Sequence, residues 1–472
     1  MVHGQGGFQR NSMNESTLKT VGKGTLWISL GNVLLKFVSL LTIFLILTKL
    51  SIYEYGLVEI VLSIVPAFSL FLLPGLVTTV IADMGVEKGR GNKGAMKAIF
   101  FNYFYIQMIF GALAWAILFF GADIVARYYD GIGPQLIKIV SFSFFISPLR
   151  QMVAVLLSVY LKFFNQSLYS VLEEVAKLAI LLVSFYVFHL YVPGVVIASI
   201  GAALVSVLIM LPVALRAYRD FGRSVVEQKL PLFHFLKSHG AWGILGASAG
   251  SLTQSSRLWL VKLFLGTEAV GLIAVAQGLF GHVVSLFPLN RVVAPMFSQF
   301  LIEKKSFIKL LNKSIKYQLA GFVIAAVGSA VVVPVLIFLF IPKYESSLLL
   351  FYILLPMVIP TSVDSIVASV FYALKAQKDL FFASLYKLAL TLILIPVGGY
   401  YFGLEGVACV LVLITTLYAF ERYSRLHRLL PIFTISPKEF FTVDETDSLI
   451  LEKAKTVVPR FIRFLFEGKH AL

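Results

Sequence analysis

A chain of 472 residues that is 59 % hydrophobic and only 14 % charged does not have the composition of an ordinary soluble domain. Its formal net charge of +16 is spread over many separate segments, which argues against a nucleic-acid binder, whose basic residues gather in one patch. The single cysteine, Cys409, excludes an intramolecular disulfide and a cysteine metal site.

Twelve apolar runs follow one another along the chain: Thr25 to Leu50, Gly56 to Ala82, Ala98 to Phe120, Leu136 to Tyr160, Leu168 to Leu190 and Gly194 to Leu215, then Gly240 to Leu265, Ala269 to Leu289, Leu319 to Ile341, Leu348 to Ala373, Phe381 to Tyr401 and Leu404 to Phe420. A run of about 20 apolar residues crosses the ~30 Å hydrocarbon core as a helix, because only internal hydrogen bonds satisfy the backbone there. The first run is too long for a signal peptide's apolar region and follows a polar tail, so it reads as an uncleaved first helix.

With the N-terminus in the cytoplasm, the inside segments 1–24, 83–97, 161–167, 216–239, 290–318, 374–380 and 421–472 hold 30 of the 40 Lys and Arg residues. The outside loops hold only Lys49, Arg127 and Lys343. Positive loops resist translocation, so this split predicts both termini inside. The outside loops are too short to hold a separate core. Gly89-Arg-Gly-Asn-Lys-Gly94 matches a dinucleotide fingerprint, but it lies between two membrane helices with no strand before it and is discounted. There is no Walker motif to support ATP hydrolysis by this chain.

The two halves echo each other. Leu47-Thr-Lys-Leu-Ser-Ile-Tyr-Glu-Tyr-Gly56 is matched by Leu260-Val-Lys-Leu-Phe-Leu-Gly-Thr-Glu-Ala-Val-Gly271, Lys177-Leu-Ala by Lys387-Leu-Ala, and Pro193-Gly-Val-Val by Glu405-Gly-Val-Ala, all in the same order. The expected fold is an all-α polytopic membrane protein of about 12 transmembrane helices in two pseudo-symmetric six-helix lobes. The divisions are a cytoplasmic N-terminal tail (1–24), an N-lobe (25–215), a linker (216–239), a C-lobe (240–428) and a cytoplasmic tail (429–472). Six helices return the chain to the same side, so the repeats are parallel, and such halves surround a site near the midplane. In the tail, Val457, Phe461, Phe464 and Leu465 alternate with Arg460, Arg463 and Lys469, a pattern for an amphipathic helix lying on the inner leaflet or for a mobile tail.

The segments Lys23-Gly-Thr-Leu-Trp27, Leu50-Ser-Ile-Tyr-Glu-Tyr-Gly56, Leu73-Pro-Gly-Leu76 and Pro193-Gly-Val-Val resemble the polysaccharide-transport branch of the multidrug/oligosaccharidyl-lipid/polysaccharide (MOP) flippase superfamily. The resemblance spans roughly residues 20 to 425. It implies a MATE-like fold with inward-open and outward-open states, in the cell membrane. It also implies a cargo of polyprenyl-linked sugars carried from the inner to the outer leaflet for cell-surface polysaccharide biosynthesis. The lipid II flippase branch typically carries two further helices, which are not seen in this sequence.

An ionisable residue deep in a span costs at least ~2.5–3.5 kcal/mol, so it faces a cavity or a partner. Ser29, Asn32, Lys36 and Ser39 share one face of the first helix, and Gly250, Gln254 and Arg257 recur at similar spacing on the seventh. Asn32, Lys36, Gln254 and Arg257 are therefore substrate-binding candidates, the two cations suited to a lipid-linked phosphate or pyrophosphate. For Arg257 the alternative is that it snorkels outward or pairs locally. Arg150 and Lys177 lie at similar depth on helices four and five, with Glu173 and Glu174 one turn nearer the inside. They form either a buried network that pins the hairpin or a coupling site, where Glu173 or Glu174 exchanges H⁺ or Na⁺ and Arg150 reads the sugar phosphate. Asp364 and Lys387 read as an intramembrane ion pair. His282 reads as a hydrogen-bonded interior residue.

The predicted function is a lipid-linked oligosaccharide flippase that is not an enzyme, has no cofactor or metal, and is sufficient as a monomer. Its partners are the lipid-linked substrate, membrane lipids and glycan-assembly enzymes, with no nucleic acid. The alternatives are a cation-coupled exporter of small organic molecules and a membrane glycosyltransferase or glycan polymerase; the short outside loops speak against the last.

Overall fold

The computed structural model describes residues 15–127, 131–221, 240–287, 289, 290, 293, 297 and 304–431; the side chains of 15–30, 240 and 304–306 are outside the description. Most of the linker and the tail expected to be amphipathic therefore lie outside the described residues. Among the described residues the chain is all-helical, a multi-pass membrane protein, and each of the twelve apolar runs is mainly helical.

In chain order the helices are α1 (Glu15–Lys49), α2 (Ile52–Ala67), α3 (Leu76–Gly89), α4 (Lys93–Phe120), α5 (Ala122–Arg127), α6 (Pro134–Ser141), α7 (Ser143–Val159), α8 (Phe163–Tyr186) and α9 (Val192–Arg219) in the first half. The second half has α10 (Gly240–Leu265), α11 (Thr267–Ser285), α12 (Lys304–Phe340), α13 (Ser346–Leu354), α14 (Val358–Ala373) and α15 (Gln377–Leu429). Gly403, at φ 64°, divides α15 into two helices, 377–402 and 404–429. Among the described residues, nine stretches are long and apolar enough to cross a membrane by themselves. That tally falls short of twelve partly because the stretch from Gln377 to Leu429 is one of the nine yet contains two helices. In α8, Glu173, Glu174 and Lys177 sit close together and lower its apolarity.

Two breaks interrupt spans at matching places. After α2 the chain passes through a 3₁₀ turn, Ser69–Leu72, and then Leu73 and Gly75 at φ 44° and 86° before α3 begins. The break orphans the carbonyl of Leu72, and buried Gln107 of α4 donates its side-chain amide to it at 2.8 Å. In the second half Gln318 of α12 donates to the carbonyl of Phe287, past the end of α11, at 2.7 Å. A backbone acceptor released inside a membrane helix needs such a replacement donor.

Packing differs between the two ends of the molecule. At the end where α1 finishes and α2 begins, one core draws on both halves, including Leu50, Val58 and Ile60 beside Val261, Val270 and Tyr344. Toward the other end the cores separate. One is built from Val80, Phe100, Tyr103 and Leu157, joined from the second half by Ile244 of α10. The other is built from Phe307, Leu311, Ile366 and Phe371 of the second half.

The joint end is latched by backbone contacts. Ser51 and Glu54 close a capping box at the start of α2, which fixes the α1–α2 turn. The Lys343 ammonium donates to the Thr48 carbonyl at 3.1 Å, and the buried Tyr344 hydroxyl lies 3.2 Å from the carbonyls of both Leu50 and Ser51. Burial holds the Lys343 ammonium below its ordinary pKa, with Glu54 opposing the shift. The Tyr344 ring stands edge-on to Tyr55 at 6.2 Å.

Candidate functional site

Below the latch, the charged side chains of the two halves fall into two layers. Counted from the joint end at about 1.5 Å per residue, Glu59 of α2, Lys177 of α8 and Arg257 of α10 lie about 10–14 Å down their helices. Lys36 of α1, His282 of α11 and Lys387 of α15 lie about 20–23 Å down. Glu59 is within electrostatic reach of both Lys177 and Arg257, and its own-helix neighbour Tyr55 stands one turn away. Lys36 and His282 are electrostatic neighbours across the halves, as are Arg257 and Lys387 within the second.

The helix docking that holds the upper layer is specific. Ser63, one turn beyond Glu59, accepts a hydrogen bond from Trp259 Nε1 on its hydroxyl at 2.8 Å, and its carbonyl accepts one from the Ser255 hydroxyl at 2.7 Å. Arg257 lies between those two donors in sequence and turns to the other side of α10, the side that also carries Gln254 and Gly250. Gln254 is exposed, and a side chain added at Gly250 would meet open space. Arg257 is half-buried, and its Nε is buried without a hydrogen-bond partner among the described residues. On α1, Asn32 and Lys36 are both half-buried.

Arg150 and Glu173 join α7 to α8 through an ion pair of 3.0 Å, with Arg150 half-exposed. Glu174 and Lys177 lie within electrostatic reach of Glu173. Beside them Tyr103 donates to Gln151 Oε1 at 2.7 Å, and Gln151 in turn bonds the Ser147 hydroxyl.

The second half departs from expectation at Asp364. Its direct partner is Arg422, at 2.6 Å, not Lys387. Lys387 stands in the field of Asp364, but its ammonium sits over the Tyr418 ring at 4.5 Å, and the Arg422 guanidinium covers the same ring at 4.6 Å. The reason is helix length. The last helix continues to Leu429 instead of ending near Phe420, so Arg422, placed by sequence in the inside segment 421–472, is a buried residue of the helical body.

Glu59 was missed by sequence reasoning too. It sits only three residues into its apolar run, and a carboxylate inside an apolar run is the signal that marks it. Among the described residues no group of His, Cys, Asp and Glu could hold a metal ion.

The model of a family described as "Polysaccharide biosynthesis protein" matches residues 21–301. No curated protein matches the chain. Among solved structures, the fold is similar to the lipid II flippase MurJ in an inward closed conformation, with a TM-score of 0.66 at 16 % identity over 94 % of this chain and 98 % of that one. That coverage gives no support to setting the lipid II branch apart by two further helices. A multidrug resistance MATE family transporter of the MOP superfamily gives a TM-score of 0.64 in its inward-facing conformation, at 12 % identity over 84 % of this chain and 95 % of that one. An outward-facing structure of such a transporter gives 0.58, at 14 % identity over 85 % and 98 %. These likenesses show that the chain shares the fold of these transporters. The match to the family model, which runs through more than half of the sequence, carries the assignment: the chain belongs to the polysaccharide biosynthesis protein family.

Proposed function

We propose that this protein is a flippase that moves a polyprenyl-phosphate- or pyrophosphate-linked oligosaccharide from the inner to the outer leaflet of the cell membrane by alternating access, without catalysing a reaction. The carrying observation is the set of charges that the two halves hold at matching depths, with Lys36 within electrostatic reach of His282 across the halves, where their cores begin to separate. Lys36, Arg150, Lys177, Arg257, Lys387 and Arg422 outnumber the carboxylates Glu59, Glu173, Glu174 and Asp364 in their surroundings, and this excess favours an anionic headgroup.

With the lysine-rich end in the cytoplasm, the joint core closes the outer side and the divided cores leave the inner side parted. That arrangement, together with the higher likeness to an inward-facing relative than to an outward-facing one, supports an inward-facing state that accepts cargo from the cytoplasmic leaflet. In this reading Lys36 and Arg257 hold the phosphate with Asn32 and Gln254 alongside, Arg150 reads the sugar phosphate, and Glu173 or Glu174 supplies coupling to H⁺ or Na⁺. The sugar-lipid tail stays in the bilayer, and glycan-assembly enzymes supply and consume the cargo.

The test is reconstitution of the purified chain in liposomes carrying a fluorescent polyprenyl-pyrophosphate saccharide, with quenching of the label exposed outside. The expected result is accelerated transfer by wild type and its loss in Lys36→Ala or Arg257→Ala at matched insertion. Absence of transfer by a well-inserted wild type, with efflux of organic cations instead, would favour the exporter reading. The specific observation behind that second reading is Glu59, a carboxylate of the kind that cationic cargo requires.

A further inference from the structure

We propose that the joint end of the α8–α9 hairpin binds one anionic phospholipid, with an acyl chain in a groove between the two helices and the phosphate on Lys49. The proposal rests on the membrane-spanning topology and is independent of what cargo the protein carries.

The groove has a volume of about 450 Å³ and is lined by Ala179, Ile180, Val183, Phe188, Leu190 and Ile197, with Ser184 as its one polar side chain. The sequence builds it from small residues. α9 comes close to α8 at Gly194, against Ser184, and at Gly201, against Ile180, because neither glycine carries a side chain. Ser184 is buried at this contact, whereas Ala179, Val183 and Ile197 are exposed along the groove. The Leu190 N–H donates to the Ser184 carbonyl at 2.8 Å and closes the turn between the helices. On the surface of a membrane-spanning protein such a hollow meets hydrocarbon, and water gains no hydrogen bonds from its walls.

A cation stands beside the mouth of the groove. One turn beyond Val183 on α8, the exposed Tyr186 ring lies under the Lys49 ammonium, 4.3 Å from the ring centroid. Lys49 is itself exposed and ends α1, which packs along α8. Among the described residues no carboxylate pairs with it, whereas Lys138 has Asp123 at 3.9 Å and Lys343 has the Thr48 carbonyl. Its ammonium is thus held at the level where the helices end, and its donors remain available to a phosphate.

Length selects the occupant. From Ala179 to Tyr186 the hollow and its mouth take up about 10 Å of helix, which lies within one half of the ~30 Å hydrocarbon core. A phospholipid chain ends near the midplane, whereas a polyprenyl tail runs beyond it. Lys49 also lies between Thr48 and Leu50, whose carbonyls Lys343 and Tyr344 hold. A lipid bound there braces the turn that joins the two halves.

The experiment uses the full-length protein purified in detergent, with bound lipids counted by native mass spectrometry and melting followed by intrinsic fluorescence. Phosphatidylglycerol is compared with phosphatidylcholine of the same chains. Wild type should bind one phosphatidylglycerol roughly fivefold more tightly than phosphatidylcholine, the factor that one cation near a lipid headgroup supplies. Its melting temperature should rise with the bound lipid. Lys49→Gln should bind the two lipids equally. Ala179→Phe, which fills the groove from an exposed position, should lose both; Val183→Trp is a second filling variant, and melting without added lipid identifies the folded ones. A preference that survives Lys49→Gln overturns the proposal, as does undiminished binding by a folded groove-filling variant. A polyprenyl phosphate that displaces phosphatidylglycerol at equal concentration would give the groove to a polyprenyl tail and overturn it too. Failure of flipping in liposomes bears on the flippase reading alone.

Discussion

Gly56 of α2 packs directly on the backbone of Thr267 in α11, and Gly271 of α11 packs in return on the backbone of Ile52 in α2. The two contacts are related by the same 215-residue offset, so one surface of the repeat meets its own copy, as in an isologous dimer interface. A side chain at either glycine would overlap a carbonyl oxygen of the opposite helix. Gly56→Ala or Gly271→Ala should cost the closed state about 1–3 kcal/mol through overpacking. A cost of that size shifts a two-state equilibrium roughly 5–150-fold. Spin labels at the outer ends of α2 and α11 should then report a longer distance population that wild type lacks. An unchanged distance distribution would mean that the glycines serve packing without controlling opening.

Gln107 and Gln318 make the same kind of repair in the two halves, each donating to a carbonyl released by a break in a neighbouring helix. Gln107→Leu leaves the Leu72 carbonyl without a donor, whereas after Gln318→Leu the Phe287 carbonyl still accepts from the Leu289 N–H at 2.9 Å. Gln107→Leu should lower stability by about 1–3 kcal/mol, and Gln318→Leu by less. Thermal melts followed by fluorescence in detergent would detect the loss, and Gln→Glu at either site should be no milder, because a carboxylate cannot donate. A melt indistinguishable from wild type for both leucine variants would show that the carbonyls find other donors.

The architecture was legible because hydropathy and backbone satisfaction act on long stretches, and each apolar run is mainly helix among the described residues. The duplication was legible too, and the matched Gly56 and Gly271 of the sequence comparison each pack on the backbone of the opposite half, at Thr267 and Ile52. Site residues were less legible because a charge's depth in sequence does not say which way it points. Asp364 was matched to Lys387 by depth alone, whereas its partner Arg422 lay beyond the expected end of the last helix. Apolarity fades near the membrane surface while helical hydrogen bonding continues, so hydropathy underestimates helix length there. The glutamines were invisible for another reason: their role depends on breaks in different helices, which no local pattern reveals.

Asp364 and Arg422 form a short, mostly buried pair, so breaking it from one side should leave a buried charge uncompensated. Asp364→Asn or Arg422→Gln alone should destabilise the protein by about 3–5 kcal/mol. The double substitution should cost less than the sum, because it removes both charges. Lys387→Met should couple to Asp364→Asn less strongly than Arg422→Gln does in the same cycle, since Lys387 feels the carboxylate's field but contacts the Tyr418 ring. Strong coupling of Asp364 to Lys387, with none to Arg422, would reverse this assignment.

Arg150 and Glu173 are paired at 3.0 Å, yet Arg150 is half-exposed and has room to turn away. If Glu173 carries the coupling proton, it must leave Arg150 to accept it, and the pair then works as a switch. Glu173→Gln should abolish the response of flipping to an imposed pH gradient while leaving exchange without a gradient measurable. Arg150→Gln should raise the fraction of neutral Glu173 by removing its ionic partner, so gradient dependence should move to higher pH. Glu174→Gln, which leaves the Arg150–Glu173 pair in place, should retain the response. Flipping assays in liposomes with acid outside or inside separate these outcomes. A gradient response that survives Glu173→Gln but disappears with Glu174→Gln would move the coupling to the neighbouring carboxylate. Survival in both would leave the pair as a brace between α7 and α8.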